Sequence, residues 1–254
     1  MSAATPAQKP APTAAAEFVK ARSLYYTPTI SGLQSLHCDV AFDWKAFLDK
    51  ASGTTIPEDN AALVYLRSLK LSVDDDLQGG GSLKWTSENQ PPADQADSVK
   101  QTLSGLAQTW QGFFQAWNQF MNGSMVKVAD DKTVVERNEG GYHMYAKDEG
   151  TLAEEQFDNA FLLQSIHVNT PQMDVAMKPL FDDTPHGKII KEIRASYREP
   201  VTAPAMTMIM TVQYATVSGF QLPATVQMEV ENVAHFDFHV SGCTVKTSST
   251  ASKP

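Results

Sequence analysis

The histidines and carboxylates near the end of the chain are the first residues with a spacing that could do chemistry. His235, Asp237 and His239 fall at i, i+2 and i+4, one face of an extended strand. At about 3.3 Å per residue the two imidazoles stand roughly 13 Å apart, whereas zinc holds its nitrogen ligands at about 2.0–2.1 Å. The spacing predicts solvated polar-face residues and no metal site. Asp74 to Asp76 followed by Gly79 is similar to a calcium loop, but Trp85 occupies the twelfth position, where a bidentate glutamate is needed, so a turn is expected instead. Ser124-Met-Val-Lys127 has the SxxK spacing, yet its serine follows a helical pattern and does not open one, and no SDN accompanies it. GxSxG, HExxH, Walker and GxGxxG patterns do not occur. Carboxylate runs such as Glu154-Glu155 and Asp182-Asp183 carry no recognisable partner. The expectation is a protein that is not an enzyme and needs no cofactor; a hydrolase assembled from scattered Asp, Glu and His is the minority alternative. Asn122-Gly-Ser124 is a glycosylation sequon, relevant only in a eukaryotic secretory route.

Cys38 and Cys243 are the only thiols, too far apart for a CxxC motif. A bridge between them would close a loop of about 200 residues and stabilise by several kcal/mol in the chain-entropy model. Their parity disagrees, because Cys38 belongs to an apolar strand face and Cys243 continues the His235 face unless Ser241-Gly242 forms a bulge. A disulfide and two buried free thiols both stay open.

The elements that would carry these residues follow from composition and periodicity. With 254 residues, 42% hydrophobic and 19% charged, the chain can bury a substantial core. A formal charge of −9 opposes generic binding to nucleic acid and to anionic bilayers. The most apolar stretch, Ala205 to Val212, is far shorter than the roughly 18 residues of a membrane-spanning helix. Residues 1–13 are expected to be a disordered Ala/Pro tail and 248–254 a polar one, leaving a single domain over 14–247. The first residues lack a charged n-region and an apolar h-region and look like the mature start of an exported protein.

Thr13 can cap a short helix with Phe18, Ala21, Leu24 and Tyr25 on one face, ended by Pro28. From Leu36 to Trp44 the period becomes two, the mark of a half-buried strand. Short helices are expected over 45–51 and from Pro57 to Leu66, then a hairpin of 69–74 and 83–86 across the DDLQGGG turn. Val99, Leu103, Leu106, Trp110, Phe113, Trp117 and Phe120 are spaced 4, 3, 4, 3, 4 and 3, which predicts a long amphipathic helix over about 94–121. Strands follow at 124–129, 133–137, 141–147, 161–168, 188–198, 205–217, 221–231 and 234–246, joined as an antiparallel meander. Thr151 with Glu154 could cap a helical turn through Phe157.

The last three strands each have one apolar and one polar face. Met206, Met208 and Met210 share a face with Val212 and Tyr214, Met228 with Val226 and Val230, and Phe236 with Phe238 and Val240. Methionine is flexible and polarizable, which suits either gap-filling in an ordinary core or a surface adaptable to irregular apolar ligands.

The stretch FDDTPHGKIIKEIRASY, followed by Tyr214-Ala-Thr-Val-Ser-Gly-Phe-Gln-Leu-Pro-Ala-Thr225, resembles the ending of bacterial outer-membrane lipoprotein-carrier-like proteins, the LolA/LolB-like superfamily; Phe157 to Ile166 resembles one of their strands. The resemblance covers the C-terminal half, and the N-terminal half in element order only. It implies an α+β fold: a curved antiparallel sheet, an incomplete, half-open β-barrel, with helices packed on its concave face. It also implies that the hydrophobic concave face can hold acyl chains. Strand parity then nominates Met206, Met208, Met210, Met228, Phe236 and Phe238 as lining, and Trp110, Phe113 and Trp117 as cover. Two departures bear on lipoprotein transfer itself: the insert from Lys45 to Met121 exceeds a minimal carrier, and the arginine associated with lid closure has no counterpart that can be placed. The expected function is an extracytoplasmic, periplasmic or otherwise exported monomer that binds a lipid or other hydrophobic small molecule. The alternative is a structural module with a closed core that contacts another envelope protein.

Overall fold

The computed structural model describes residues 21–78, 80–122, 133–148, 150–231 and 233–248. Its elements run β1 (Leu33–Phe42), α1 (Trp44–Ser52), α2 (Ala61–Arg67), β2 (Lys70–Asp75), β3 (Ser82–Thr86) and α3 (Ala96–Met121). Nine strands follow: β4 (Thr133–Asn138), β5 (Gly141–Asp148), β6 (Thr151–Asp158), β7 (Leu163–Asn169), β8 (Asp174–Thr184), β9 (Gly187–Arg198), β10 (Met206–Val217), β11 (Phe220–Val230) and β12 (Ala234–Thr247). All twelve form one antiparallel sheet in the order β3-β2-β1-β12-β11-β10-β9-β8-β7-β6-β5-β4, open at β3 and β4. The meander expected for the C-terminal half is present, and the N-terminal strands extend it because β1 pairs with β12.

Local sequence sets the helix starts. The Asp43 carboxylate accepts from the Ala46 amide at the head of α1, and Asn60 accepts from Leu63 at the head of α2. At 1.5 Å per residue, the 26 residues of α3 make a rod of roughly 40 Å. Its buried surface is broader than the single expected stripe, because Phe114, Asn118 and Met121 are buried beside Trp110, Phe113 and Trp117. The β2–β3 connection lies against this helix. A Cβ on Gly81 would sit 2.3 Å from the Phe114 ring, so the glycine run does more than turn the chain.

Three sequence expectations are corrected. Residues 151–158 are strand β6 and form no helical turn: Leu152 to Phe157 are paired on both sides, with β5 and β7, and this pairing overrides the local capping pattern. Asp174–Thr184, expected as a connection, is strand β8, and its ladder to β7 ends at Met177, so Pro179 sits where only β9 is a neighbour. The initial helix does not reach Tyr25, which bridges to Lys188 while Leu24 is exposed. Phe18, the strand at 124–129, Ser124 and Lys127, and most of both tails lie outside the described residues.

Candidate functional site

Between His37↔Thr244 and Asp39↔Ser241 the β1–β12 ladder skips, leaving Gly242 and Cys243 opposite Cys38 alone. Gly242 has φ +59°, and a Cβ there would meet the Asp39 carboxylate at 2.7 Å. This bulge turns Cys243 to the face of Cys38, and the two are disulfide-bonded with Cα atoms 4.1 Å apart. The first and last strands are thereby joined covalently as well as by their ladder.

The apolar faces converge as strand parity requires. Met210 is opposite Met228, which is opposite Phe236; Val212 is opposite Val226, which is opposite Phe238. The Trp110 ring lies 4.3 Å from Phe238 and 5.5 Å from Phe113, and Phe113 stacks on Trp117 at 6.4 Å. Met210, Met228, Phe236, Phe238, Trp110, Phe113 and Trp117 all belong to one buried cluster. Met208 sits half-buried at its margin. Met206 does not join it: paired with Tyr197 at the sheet end, it is 41% exposed. Along β10 the apolar row thus passes from Met210, 2% exposed, through Met208 to solvent.

Polar contacts tie α3 to the sheet and to the loop after β2. Trp117 Nε1 donates to the Tyr214 hydroxyl at 3.2 Å, and burial holds that phenol far above its ordinary pKa. Asn118 Nδ2 donates to Asp75 Oδ1 at 2.9 Å, and Asn122 Nδ2 donates to the Leu77 carbonyl. Trp110 Nε1 is buried with no acceptor. A groove of about 430 Å³ runs between β3 and α3, lined by Leu83, Trp85, Lys100, Ala107 and Gln111 among others.

On the opposite face, histidines alternate with carboxylates across strands. His167 bonds Asp174 Oδ1 at 2.7 Å and Glu154 Oε2 at 3.1 Å, and His143 Nε2 lies 3.2 Å from Glu154 Oε1. The Asp174 and Glu154 carboxylates raise the His167 pKa above its ordinary value by hydrogen-bonding its protonated ring. Lys84 and, after it, His37 hold Asp74 below the usual carboxylate range. A cleft of about 450 Å³ lies there, lined by His37, Asp74, Ser82 and Lys246 among others. His235 bonds Glu229 at 2.7 Å, Lys50 lies 3.2 Å from the same carboxylate, and His239 Nε2 is 3.6 Å from Asp237. His235 and His239 are thus each placed beside a carboxylate. Among the described residues no group of three or more His, Cys, Asp or Glu is arranged to hold a metal ion.

Sequence reasoning missed Asp75 and Asn118. Asp75 continues the inward alternation Leu71, Val73, Asp75, a signal overlooked because the DDD run reads as a turn. Asn118 lies four residues after Phe114, on the second buried row of α3. Comparison of the chain with protein-family models, with curated proteins and with solved structures gives no match.

Proposed function

We propose that the protein binds a hydrophobic ligand, a lipid or acyl chain, beneath α3 on the apolar face of its open sheet. In this reading the sheet is a half-barrel with its helices on the concave side, and the protein is a non-enzymatic, extracytoplasmic carrier of the LolA/LolB-like kind. The observation that carries it is the pairing of a helix with a methionine-bearing face that emerges from under it. That helix has no charged residue from Gln101 to Met121, and the face runs outward from Met210 to the exposed Met206. Flexible methionine side chains under such a helix can rearrange around an acyl chain with little strain. The groove between β3 and α3, where Leu83, Trp85 and Ala107 lie beside Lys100 and Gln111, offers a path along the helix flank.

About 14 buried methylenes would supply roughly 11 kcal/mol, enough for micromolar binding after a few kcal/mol of association cost. Titration with a fluorescent fatty acid tests this. Saturable enhancement displaced by unlabelled palmitate is expected, and so is its weakening by Met210→Asp. Signal that does not saturate, or that Met210→Asp leaves unchanged, would count against a site beneath α3.

A second reading, a closed-core module whose outer face contacts another envelope protein, draws on the full burial of Trp110, Trp117 and Phe238. A protein of that kind shows no saturable binding of the probe.

A further inference from the structure

Asp75 on β2 and Asn118 on α3 are 2% and 4% exposed. Asn118 Nδ2 and the Leu77 backbone N–H both donate to Asp75 Oδ1, each at 2.9 Å. The other two side-chain oxygens, Asp75 Oδ2 and Asn118 Oδ1, are shut off from solvent and accept no hydrogen bond. Two bare acceptors on side chains already joined through their other atoms are what one proton can reconcile. A solvent proton taken up on Oδ2 makes that atom a donor to Asn118 Oδ1, and a carboxylic acid paired with a carboxamide makes two hydrogen bonds where the carboxylate makes one. The geometry points to Asp75 and Asn118 as a proton-operated latch that fastens the C-terminal half of α3 to β2 when Asp75 is neutral and loosens it when Asp75 ionises.

The surroundings favour the neutral acid. Burial pushes the Asp75 carboxyl up to about 6 against the two hydrogen bonds it accepts, and the neighbouring Asp76 charge adds to the rise. From α3 no charge faces it, because residues 101–121 include none. The nearby cations do not offset this. His37 of β1 and Lys84 of β3 are engaged with Asp74, the neighbour whose side chain takes the opposite face of the sheet, and Lys246 of β12 is opposite Ser35 in the ladder. The latch also sits where α3 is otherwise pinned: Asn122 donates to the Leu77 carbonyl, Thr29 to the Met121 carbonyl, and Gly81 lies against Phe114.

The latched state binds the proton more tightly than the released one. Its advantage is therefore complete below the ordinary carboxylate pKa of about 3.9, falls as pH rises toward about 6, and is gone above that. Acid tightens the helix, whether or not a ligand lies beneath it.

Hydrogen exchange on the full chain, corrected for the intrinsic pH dependence of exchange, tests the latch through peptides covering residues 110–121. The wild type should show an opening equilibrium about thirtyfold larger at pH 7.5 than at pH 4.5. Asp75→Asn, whose amide can pair with Asn118 at any pH, should stay flat over that range. The Asp75 carboxyl carbon, followed by NMR in the wild type, should titrate near 6 even if the variant fails to fold. A midpoint near 4, wild-type protection that does not change with pH, or an Asp75→Asn profile that tracks the wild type would overturn the latch.

Discussion

Cutting the link between the first and last strands, by Cys38→Ala with Cys243→Ala, separates what the disulfide contributes from what the β1–β12 ladder contributes. The bridge spans 205 residues, nearly the whole folded body, because the meander returns its last strand to the side of its first. For a loop of that length the chain-entropy relation gives about 18 cal/mol/K, or roughly 5 kcal/mol at 25 °C. Cys38 is buried and Cys243 half-buried, so truncation to alanine adds about 1 kcal/mol of lost packing, which reduction of the wild type does not incur. Their sum of about 6 kcal/mol is an upper bound, because native bridges generally deliver less than the chain-entropy value, and the double variant should lose about 3–5 kcal/mol. Urea unfolding followed by tryptophan fluorescence reads this as a fall in midpoint of about 1–1.7 M at a slope near 3 kcal/mol/M. Dithiothreitol should shift the wild type by nearly as much and leave the variant unmoved. A midpoint shift under about 0.3 M, or alkylation of both thiols in the unreduced native protein, would refute the reasoning.

Phe238→Ala removes a ring packed against Trp110 and Phe42 and should cost about 3–5 kcal/mol in the same urea assay; a loss under 1 kcal/mol would mean that α3 does not rest there. Gly81→Ala places a methyl 2.3 Å from the Phe114 ring and should destabilise by about 1–3 kcal/mol, measured as a lower Tm, whereas Gly112→Ala, with open space around it, should be neutral or stabilising. Asp75 has a folded-state pKa above its unfolded value, so its stabilising effect is present below about 3.9 and lost as pH rises through about 6. Asp75→Asn should therefore gain about 2–3 kcal/mol over the wild type at pH 7.5 and much less at pH 4, as read by urea midpoints. His167 is likewise raised, so its contribution is present below its ordinary value near 6.5 and fades as pH climbs through the raised one. His167→Gln should flatten the Tm profile on that alkaline side.

The strands β10 to β12 were legible because much of each alternates between an apolar and a polar face, as in Phe236, Asp237, Phe238 and His239. β6 was not, because Glu154, Glu155 and Gln156 break the alternation and the strand is specified by neighbours on both sides. The union of Cys38 with Cys243 turned on a single backbone irregularity at Gly242, which the sequence marks with glycine but does not decide. The nominated apolar residues cluster because parity and helical period place them together; Met206 falls out because it lies at the end of β10, paired with Tyr197 and exposed. Asp75 and Asn118 were missed for a different reason. The inward alternation Leu71, Val73, Asp75 ends in an Asp run that reads as a turn, and the pairing of two residues on elements far apart in sequence cannot be read from either one alone.

Native mass spectrometry of protein purified without detergent, with organic extraction of the same sample, tests hydrophobic-ligand binding most directly. The carrier proposal predicts a bound lipid or fatty acid at near-integral stoichiometry, depleted in a Met210→Asp variant that still folds. Apo protein alone, together with failure to take up added palmitate, would contradict it and leave the closed-core module standing.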